Sequence, residues 1–252
     1  MTASASDDST MKPEILNAEA LRFHEVMEEL YRKPGAWRGS IDTETGRFLY
    51  SLARMVRPEL VVEVGTQHGI STLWLARAVK DNGTGQLLSL DLFEDTQVAV
   101  VQQSLERAGL SKQAELIAGP STTIGAEACR RSARPIDLLF IDGDHRVEAA
   151  TVDFEVLSAM VRAGGFVVLH DIYPESCGWD GPRYILDFVA GKRSEAAKWQ
   201  ILEFPTPPSS FGLAVMQKKA ADAQTRILPR PAYWLYQWRT RFRFWLRGGG
   251  RM

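Results

Sequence analysis

The sequence predicts an α/β fold in which a doubly wound, mostly parallel sheet is covered by helices on both faces. Between residues 61 and 171, short runs of consecutive apolar residues alternate with segments of helical periodicity. Runs of this kind are typical of strands buried on both faces, and their alternation with helices indicates parallel strands joined by crossover helices. Two further strand-like segments, 199–204 and 211–217, have only PTPPSS between them, too little for a crossover helix, so they should pair antiparallel.

Two helices are expected before the sheet begins. Apolar residues recur at helical spacing from Leu16 to Leu30, which predicts a helix over 13–31. A second helix is expected over FLYSLARMV. The Ser/Thr/Asp-rich residues 1–12 are expected to be disordered.

Strands and helices then alternate, and a further helix over 183–191 leads to the antiparallel pair. Gly164 and Gly165 are expected to end the long helix that precedes the fifth strand. Seven strands are expected in all. The first five are 61–64, 86–91, 114–119, 136–142 and 166–171, and the helices between them are 71–79, 98–108, 123–131 and 147–161.

The composition is that of a soluble globular protein. Of 252 residues, 45% are hydrophobic and 24% are charged, with a net charge of −1. Cys129 and Cys177 give neither a disulfide framework nor a CxxC motif, which indicates a reducing compartment. The N-terminus lacks the pattern of a signal peptide, and no apolar run approaches the ~18 residues of a membrane span. We therefore expect a cytoplasmic location.

The small net charge hides an uneven distribution. Residues 219–252 hold eight Lys/Arg and one Asp, a net of +7, which leaves −8 for residues 1–218. We therefore divide the chain into a disordered segment 1–12, a folded domain 13–218 and a basic tail 219–252. Because the basic charge is confined to the tail, nucleic acid is not the expected partner.

Acids and histidines follow two of the predicted strands. Asp142 ends LLFID and is followed by Asp144 and His145, and FVVLHD ends in His170 and Asp171. In open parallel sheets, ligands bind beyond the carboxyl ends of the strands, so these side chains should line one rim. There, carboxylates and imidazole can bind a divalent metal, and a neutral histidine can take a proton from a hydroxyl.

Simpler interpretations of three rim residues stay open. Asp144 is expected to cap the helix that begins near residue 146 rather than to bind metal. His170 could pack beside a cofactor, and His68 could act as a spacer in the first loop. Cys177 and Trp179 follow the fifth strand in a loop that suits either a substrate lid or an ordinary surface segment.

The loop EVGTQHGIST follows the first strand and opens a helix. Gly65 and Gly69 allow a tight turn, and the helix N-terminus favours anionic groups. The dinucleotide fingerprint GxGxxG is not met, because Thr66 stands where a second glycine would be. Asp91 ends the second strand, where a carboxylate can accept hydrogen bonds from ribose hydroxyls.

The motif ExGxxxG after the first strand, the acid after the second and the terminal antiparallel pair resemble the class I S-adenosylmethionine-dependent methyltransferases, which have a Rossmann-like sheet. The resemblance covers roughly residues 40–218. The stretches EVGTQHGIST, FIDGDH and GGFVVLHD are similar to small-molecule O-methyltransferases, in particular metal-dependent sugar and macrolide-tailoring enzymes and cephalosporin-hydroxylase-like proteins. The resemblance implies S-adenosylmethionine as cofactor and a hydroxyl of a sugar or other natural-product intermediate as acceptor.

The resemblance also implies roles for individual residues. The first loop would wrap the methionine part of the cofactor, the acid ending the second strand would hold the ribose, and the residues after the third strand would flank the adenine. The cofactor-binding residues implied in this way are Glu63, Gly65, Thr66, Gln67, Gly69, Ser71, Asp91, Pro120, Ser121 and Asp142. Glu63 could equally tie down a neighbouring loop, and Ser71, with Thr72, is placed to cap the helix.

The spacing from Asp142 to His145 matches the D-x-x-H of the sugar-modifying relatives, in which the acid binds a divalent metal and the histidine is the general base. The acidic pair that completes their metal site is His170 and Asp171 here. The implied metal ligands are therefore Asp142, His170 and Asp171, and the implied base is His145. The expected ion is Mg²⁺ or Mn²⁺, and a nitrogen ligand shifts the preference from Mg²⁺ toward Mn²⁺, Fe²⁺ or Zn²⁺.

Two other functions remain open at this point. A nicotinamide-dependent oxidoreductase is disfavoured by the missing fingerprint and by the terminal strand pair. A non-enzymatic, membrane-associated cofactor-binding protein is disfavoured by the acids and histidines of the rim. Each of the functions considered is compatible with a homo-oligomer.

The basic tail has the pattern of an amphipathic helix. Pro231 suits its first turn and three glycines, 248–250, can end it. An apolar, aromatic face with an arginine flank predicts an interfacial membrane helix, and docking on the domain or on a second subunit is equally open. The apolar face holds Trp234, Leu235, Trp238, Phe242, Trp245 and Leu246, and the flank holds Arg239, Arg243 and Arg247.

Overall fold

The computed structural model describes most of the folded domain and part of the tail. The predictions for residues 1–12, for the PTPPSS loop beyond Pro205, for Arg243 and Arg247 and for the glycines 248–250 lie outside the described residues. The described residues are 13–32, 40–93, 97–205, 211–220 and 225–228, with positions 231, 234, 235, 238, 239, 242, 245 and 246.

A seven-stranded sheet with the order β3-β2-β1-β4-β5-β7-β6 forms the centre of the fold. The first five strands are parallel, and β7 lies antiparallel between β5 and β6. The predicted mostly parallel sheet with an antiparallel C-terminal strand is confirmed. The strands are β1 (Leu60–Val64), β2 (Gln86–Asp91), β3 (Ala114–Ala118), β4 (Ile136–Ile141), β5 (Val161–His170), β6 (Trp199–Phe204) and β7 (Leu213–Lys218).

Helices cover both faces of the sheet. Among the described residues, no helix combines the length and apolar character needed to cross a bilayer. One face is covered by α1 (Pro13–Arg32), α2 (Thr43–Val56), α3 (Ile70–Asn82) and α4 (Gln97–Arg107), and the other by α5 (Ala126–Arg131), α6 (Val147–Ser158) and α8 (Gly181–Gly191). Two short helices, α7 (Pro174–Cys177) and α9 (Arg193–Ala196), lie in connections, and a π-helical turn, Ser121–Gly125, precedes α5.

The central strands β1, β2 and β4 are buried on both sides, which explains their largely apolar sequences. In β1, Val61 packs into the core cluster beneath α1 to α4, whereas Val62 and Val64 pack into the cluster beneath α5, α6 and α8. Successive side chains of a strand point to opposite faces, so a strand covered on both sides needs an apolar residue at every position. Glu63 inside β1 and Asp137 near the start of β4 are buried exceptions, and acids and histidines gather where β4 and β5 end.

The boundary between α6 and β5 differs from the prediction. The helical spacing extended to Val161, but α6 ends at Ser158 and β5 begins at Val161, which pairs with Ile136. Gly164 has φ +74°, and a Cβ on Gly165 would lie 2.7 Å from Val161 Cγ1. The two glycines therefore form an irregularity inside β5 instead of ending the helix.

Helices α2 and α3 pack closely because residue 46 has no side chain. A Cβ on Gly46 would lie 2.1 Å from Trp74 Nε1. The Trp74 ring is buried and held edge-on against Phe23 and Tyr50, with ring centroids 5.0 and 6.2 Å away. The indole therefore has little room to move aside.

Replacing Gly46→Ala should lower the free energy of unfolding by about 1–3 kcal/mol, because the added methyl overlaps a fixed indole ring. Urea denaturation measures this change. The matched control is Gly191→Ala, at the end of α8, where an added Cβ meets nothing within 4 Å. This control should be neutral or slightly stabilising, and an equal loss in both variants would contradict the packing argument.

Candidate active site

Four side chains at the carboxyl ends of β4 and β5 form a compact group, here called the acid–histidine cluster: Asp142, His145, His170 and Asp171. Asp142 Oδ1 lies 3.1 Å from His170 Nδ1 and 3.2 Å from His145 Nε2. Asp171 places one oxygen 3.0 Å from His145 Nε2 and the other 3.0 Å from His170 Nδ1. The structure thus brings the predicted rim residues together, and each histidine contacts both carboxylates.

Strand register and one unusual backbone conformation create this cluster. Ile141 pairs with Leu169 in adjacent parallel strands, so Asp142 and His170 follow at the same level. Asp171 has φ +57°, in the left-handed region that few residues other than glycine adopt. That turn brings its carboxylate back toward the two imidazoles.

The pKa values of the cluster are set by burial and by mutual charge. Burial lowers the pKa of each imidazole, but contact with Asp142 and Asp171 outweighs it, raising the pKa of His145 to about 9 and that of His170 to about 10. Burial raises the pKa of both carboxyl groups, yet the imidazoles hold the two pKa values below their usual range. The carboxylates therefore favour the protonated form of both imidazoles, and a cation bound by the carboxylates would weaken that effect on His145.

Three members of the cluster fit a divalent metal ion. Asp142, His170 and Asp171 offer ligand atoms that all lie within 4.8 Å of one another. Within the described part of the chain, His170 Nε2 is buried without a hydrogen bond, which leaves this nitrogen available as a metal ligand. Two carboxylates with one imidazole suit Mn²⁺, Fe²⁺ or Zn²⁺ better than Mg²⁺.

Asp144 differs from its expected role, and the loop after β5 lies beside the cluster. Asp144 does not occupy the N-cap of α6, which is Arg146; its carboxylate accepts a hydrogen bond from the Arg146 backbone N–H, 3.0 Å away, and pairs with the guanidinium. Cys177 Sγ lies 3.5 Å from the backbone oxygens of Asp171 and Trp179, and the Trp179 side chain is half exposed. The loop after β5 therefore borders the cluster.

The first loop is fixed by the acid that ends β2. Asp91 Oδ2 accepts hydrogen bonds from the backbone N–H groups of Thr66 and Gln67, at 2.8 and 2.9 Å. Its other oxygen receives a longer one, 3.3 Å, from the Phe93 N–H. Asp91 therefore shapes the loop itself, a role that the sequence did not indicate.

Glu63 ties the first loop to its surroundings. Its fully buried carboxyl accepts hydrogen bonds from the hydroxyls of Thr72 and Ser89, each 2.6 Å away, and burial raises its pKa to about 7. Helix α3 begins after Gly69, which is its N-cap, without a side-chain cap. The capping expected of Ser71 and Thr72 is therefore wrong, since Ser71 is buried in the first turn and the Thr72 hydroxyl serves Glu63.

The first loop and the cluster touch through their backbones. Gly65 has φ +95°, and a Cβ there would lie 2.1 Å from the carbonyl oxygen of Asp142. The Asp142 N–H in turn donates a hydrogen bond to the Val64 carbonyl, at 2.9 Å. The cofactor-binding residues predicted on this loop thus lie directly beside the predicted metal ligands.

Sequence reasoning missed Asp153 of α6. The Ser121 hydroxyl, in the turn after buried Pro120, donates a hydrogen bond to the Asp153 carboxyl, and burial raises the pKa of Asp153 to about 7. The sequence did contain one signal for this residue: Asp153 is an acid between the apolar residues Val152 and Phe154, in a helix that is apolar on most sides.

Comparisons with known proteins agree on one class. Residues 62–172 match the family described as a methyltransferase domain. The catechol O-methyltransferase of Niastella koreensis is 35% identical over 133 residues, which cover 53% of this chain and 58% of that protein. The structure of the O-methyltransferase TomG from Streptomyces achromogenes, in complex with S-adenosylmethionine, gives a TM-score of 0.63 at 21% identity, covering 85% of this chain and 94% of that one. An O-methyltransferase from Bacillus cereus, in complex with S-adenosylhomocysteine, gives 0.59 at 20% identity with the same two coverages.

The comparisons support the fold and the methyltransferase class separately. The solved structures are distant in sequence and establish the fold. The domain match, together with the similar catechol O-methyltransferase, confirms the predicted resemblance to class I S-adenosylmethionine-dependent methyltransferases of the small-molecule O-methyltransferase type. The chain spans only 58% of the length of the curated relative, so the match does not carry over that protein's acceptor.

The raised pKa of Glu63 predicts a pH-dependent stability. Between the ordinary value of 4.5 and about 7, the folded protein binds a proton that the unfolded chain releases, so the free energy of unfolding falls as pH rises through this window. Replacing Glu63→Gln removes this contribution and should reduce the loss of stability between pH 4.5 and 7.5 by up to about 3 kcal/mol. Urea denaturation at the two pH values measures it.

The control for this experiment is Glu115→Gln, at an exposed position of β3, which should leave the pH dependence unchanged. If Glu63→Gln and the parent protein lost the same stability over this range, Glu63 would be ionised throughout.

Proposed function

We propose that this protein, which carries a methyltransferase domain over residues 62–172, transfers the methyl group of S-adenosylmethionine to a hydroxyl of a small molecule. The observation that carries the proposal is the contact of Gly65 with Asp142, which sets the glycine loop beside the acid–histidine cluster. A methyl donor held by the loop would lie next to groups able to bind and deprotonate an acceptor.

The residues of the first loop suit the proposed cofactor. Gly65 and Gly69 adopt positive φ angles that shape the loop, and the N-terminus of α3 offers N–H groups to a carboxylate. Asp91 would receive the ribose hydroxyls while it holds the loop. Pro120 and Ser121 would flank the adenine through their apolar atoms, since the Ser121 hydroxyl is committed to Asp153.

Methyl transfer then requires little covalent chemistry from the protein. The acceptor oxygen attacks the methyl carbon, the carbon–sulfur bond breaks, and S-adenosylhomocysteine leaves with the electron pair on sulfur. Asp142, His170 and Asp171 would hold a divalent ion, which when bound polarises the acceptor hydroxyl. His145 accepts the hydroxyl proton at Nε2, and the walls of the site orient the oxygen toward the methyl group.

The acceptor is proposed at the level of a chemical class. A hydroxyl of a sugar or other natural-product intermediate fits the motifs, and the relative named as a catechol O-methyltransferase adds phenolic hydroxyls to the candidates. The loop with Cys177 and half-exposed Trp179 would cover the acceptor as a lid.

The remaining assignments are proposals of the same kind. Residues 13–218 would form the catalytic domain and residues 219–252 an appended element, in a cytoplasmic enzyme. The basic charge of the tail does not require a nucleic-acid acceptor, because residues 1–218 carry a net charge of −8.

Cofactor binding separates this function from a nicotinamide-dependent oxidoreductase. Titration calorimetry should detect binding of S-adenosylmethionine, and Asp91→Ala should weaken it about 10–100-fold, because a charged hydrogen-bond acceptor is lost and the loop is released. The matched control is Asp144→Asn, on the exposed side of the cluster, which should bind normally. Tighter binding of NAD, or no binding of S-adenosylmethionine, would contradict the assignment.

Turnover tests the cluster. His145→Ala should lower kcat by about 10²–10⁴-fold and leave the affinity for S-adenosylmethionine unchanged, because the proton acceptor is removed and the cofactor loop is not. Transfer of a labelled methyl group to a panel of sugar, polyketide and catechol hydroxyls measures it. The control is His24→Ala, at an exposed position of α1.

In the same assay, a chelator should abolish transfer and Mn²⁺ should restore it. Full activity in chelator would remove the metal from the mechanism while leaving His145 as the base. An unchanged kcat in His145→Ala would remove His145.

A further inference from the structure

Part of the basic tail is helical and exposed at its described positions between residues 231 and 246, here called the tail helix. All eight described positions within it are helical, and each of their side chains is exposed. The helical prediction for this segment therefore agrees with the structure at every described position.

The tail helix presents an aromatic strip to solvent. Trp238 is 63% exposed, Phe242 47% and Trp245 66%. Their rings stack along the helix, with centroids 5.5 Å apart between Trp238 and Phe242 and 6.5 Å apart between Phe242 and Trp245. Leu235 and Leu246, more than half exposed, extend the strip. An apolar surface this continuous on one helix face is unusual for a surface that meets only water.

The chain just before the tail helix is anchored to the domain. Glu155 of α6 accepts hydrogen bonds from the backbone N–H groups of Ile227 and Leu228, and Trp199 Nε1 donates one to the buried Thr225 hydroxyl, at 3.0 Å. The tail helix thus begins three residues after a fixed point. It leaves the domain with its aromatic strip uncovered by the described residues.

Charge distinguishes the surfaces that could cover this strip. The tail carries +7 and the rest of the chain −8, so electrostatics favours docking on the domain, yet the described apolar side chains of the helix stay exposed. A tail-to-tail contact with a second copy would bring two strongly basic segments together, which charge repulsion opposes. An anionic lipid surface matches both the aromatic strip and the basic charge.

We propose that the tail helix binds the surface of membranes that contain anionic lipids. The aromatic strip enters the boundary between head groups and acyl chains, and Arg239, exposed beside it, meets the phosphates. The anchor at Glu155 holds the domain against that surface. This binding is independent of the methyl transfer proposed above.

Vesicle binding by the full-length chain tests the proposal. The protein should sediment with vesicles of phosphatidylcholine and phosphatidylglycerol, and lipids brominated in the acyl chain should quench its tryptophan fluorescence. The double substitution Trp238→Ala with Trp245→Ala should lower the partition coefficient at least about tenfold and abolish most of the quenching, because the rings that insert are removed.

The matched control is Met55→Ala with Leu202→Ala, two apolar side chains exposed on the domain, at 81% and 57%. This control should bind vesicles as the parent protein does, and thermal unfolding verifies that both double variants are folded. Equal sedimentation of the parent protein and the tail variant would overturn the proposal. A dimer in analytical ultracentrifugation that the tail substitutions dissociate, without vesicle binding, would overturn it in favour of a second copy.

Charge is tested separately. Arg239→Gln should weaken binding to the anionic vesicles about fivefold, which corresponds to about 1 kcal/mol. Equal binding of the parent protein to pure phosphatidylcholine would overturn the assignment to an anionic surface.

Discussion

Charge balance among Asp142, His145, His170 and Asp171 is the constraint on which the site depends. Two carboxylates buried together at the end of a sheet would repel each other strongly, and two imidazoles that contact both of them offset that repulsion. A buried charge without a partner is costly, so each member stabilises the ionised form of the others. The same balance makes the cluster receptive to a cation, because a divalent ion that displaces the protons of both imidazoles keeps the total charge matched.

Much of the fold could be predicted from the sequence because its signals are local. Strands buried on both faces read as apolar runs, and the residues that end β4 and β5 were recognisable by the change from apolar to charged. The α6–β5 boundary was predicted wrongly because Val161 satisfies helical spacing and also begins a strand, and only its pairing with Ile136 decides between them. Local periodicity does not report such a pairing.

The site was less predictable where its contacts join distant parts of the chain. Asp91 was assigned to a ligand, but the N–H groups it binds belong to a loop 25 residues earlier. Asp153 carries no motif, and its partner Ser121 lies 32 residues away. Ser71 and Thr72 resemble capping residues because they carry hydroxyls near the start of α3. In the structure, the Thr72 hydroxyl instead donates a hydrogen bond to Glu63, the buried acid of β1. In each case the competing partner is visible only after folding.

The backbone contact at Gly65 restricts how a protein of this kind can diverge. A side chain at that position would overlap the Asp142 carbonyl. The backbone of the loop therefore cannot move relative to the end of β4 unless both segments change together. New chemistry must then arise by exchanging side chains on a fixed frame, and the resemblance implies such an exchange at position 170, where an imidazole stands in place of a carboxylate. Lineages that share the frame would differ in the metal they prefer and in the acceptor they admit, while the positions of the groups that react stay constant.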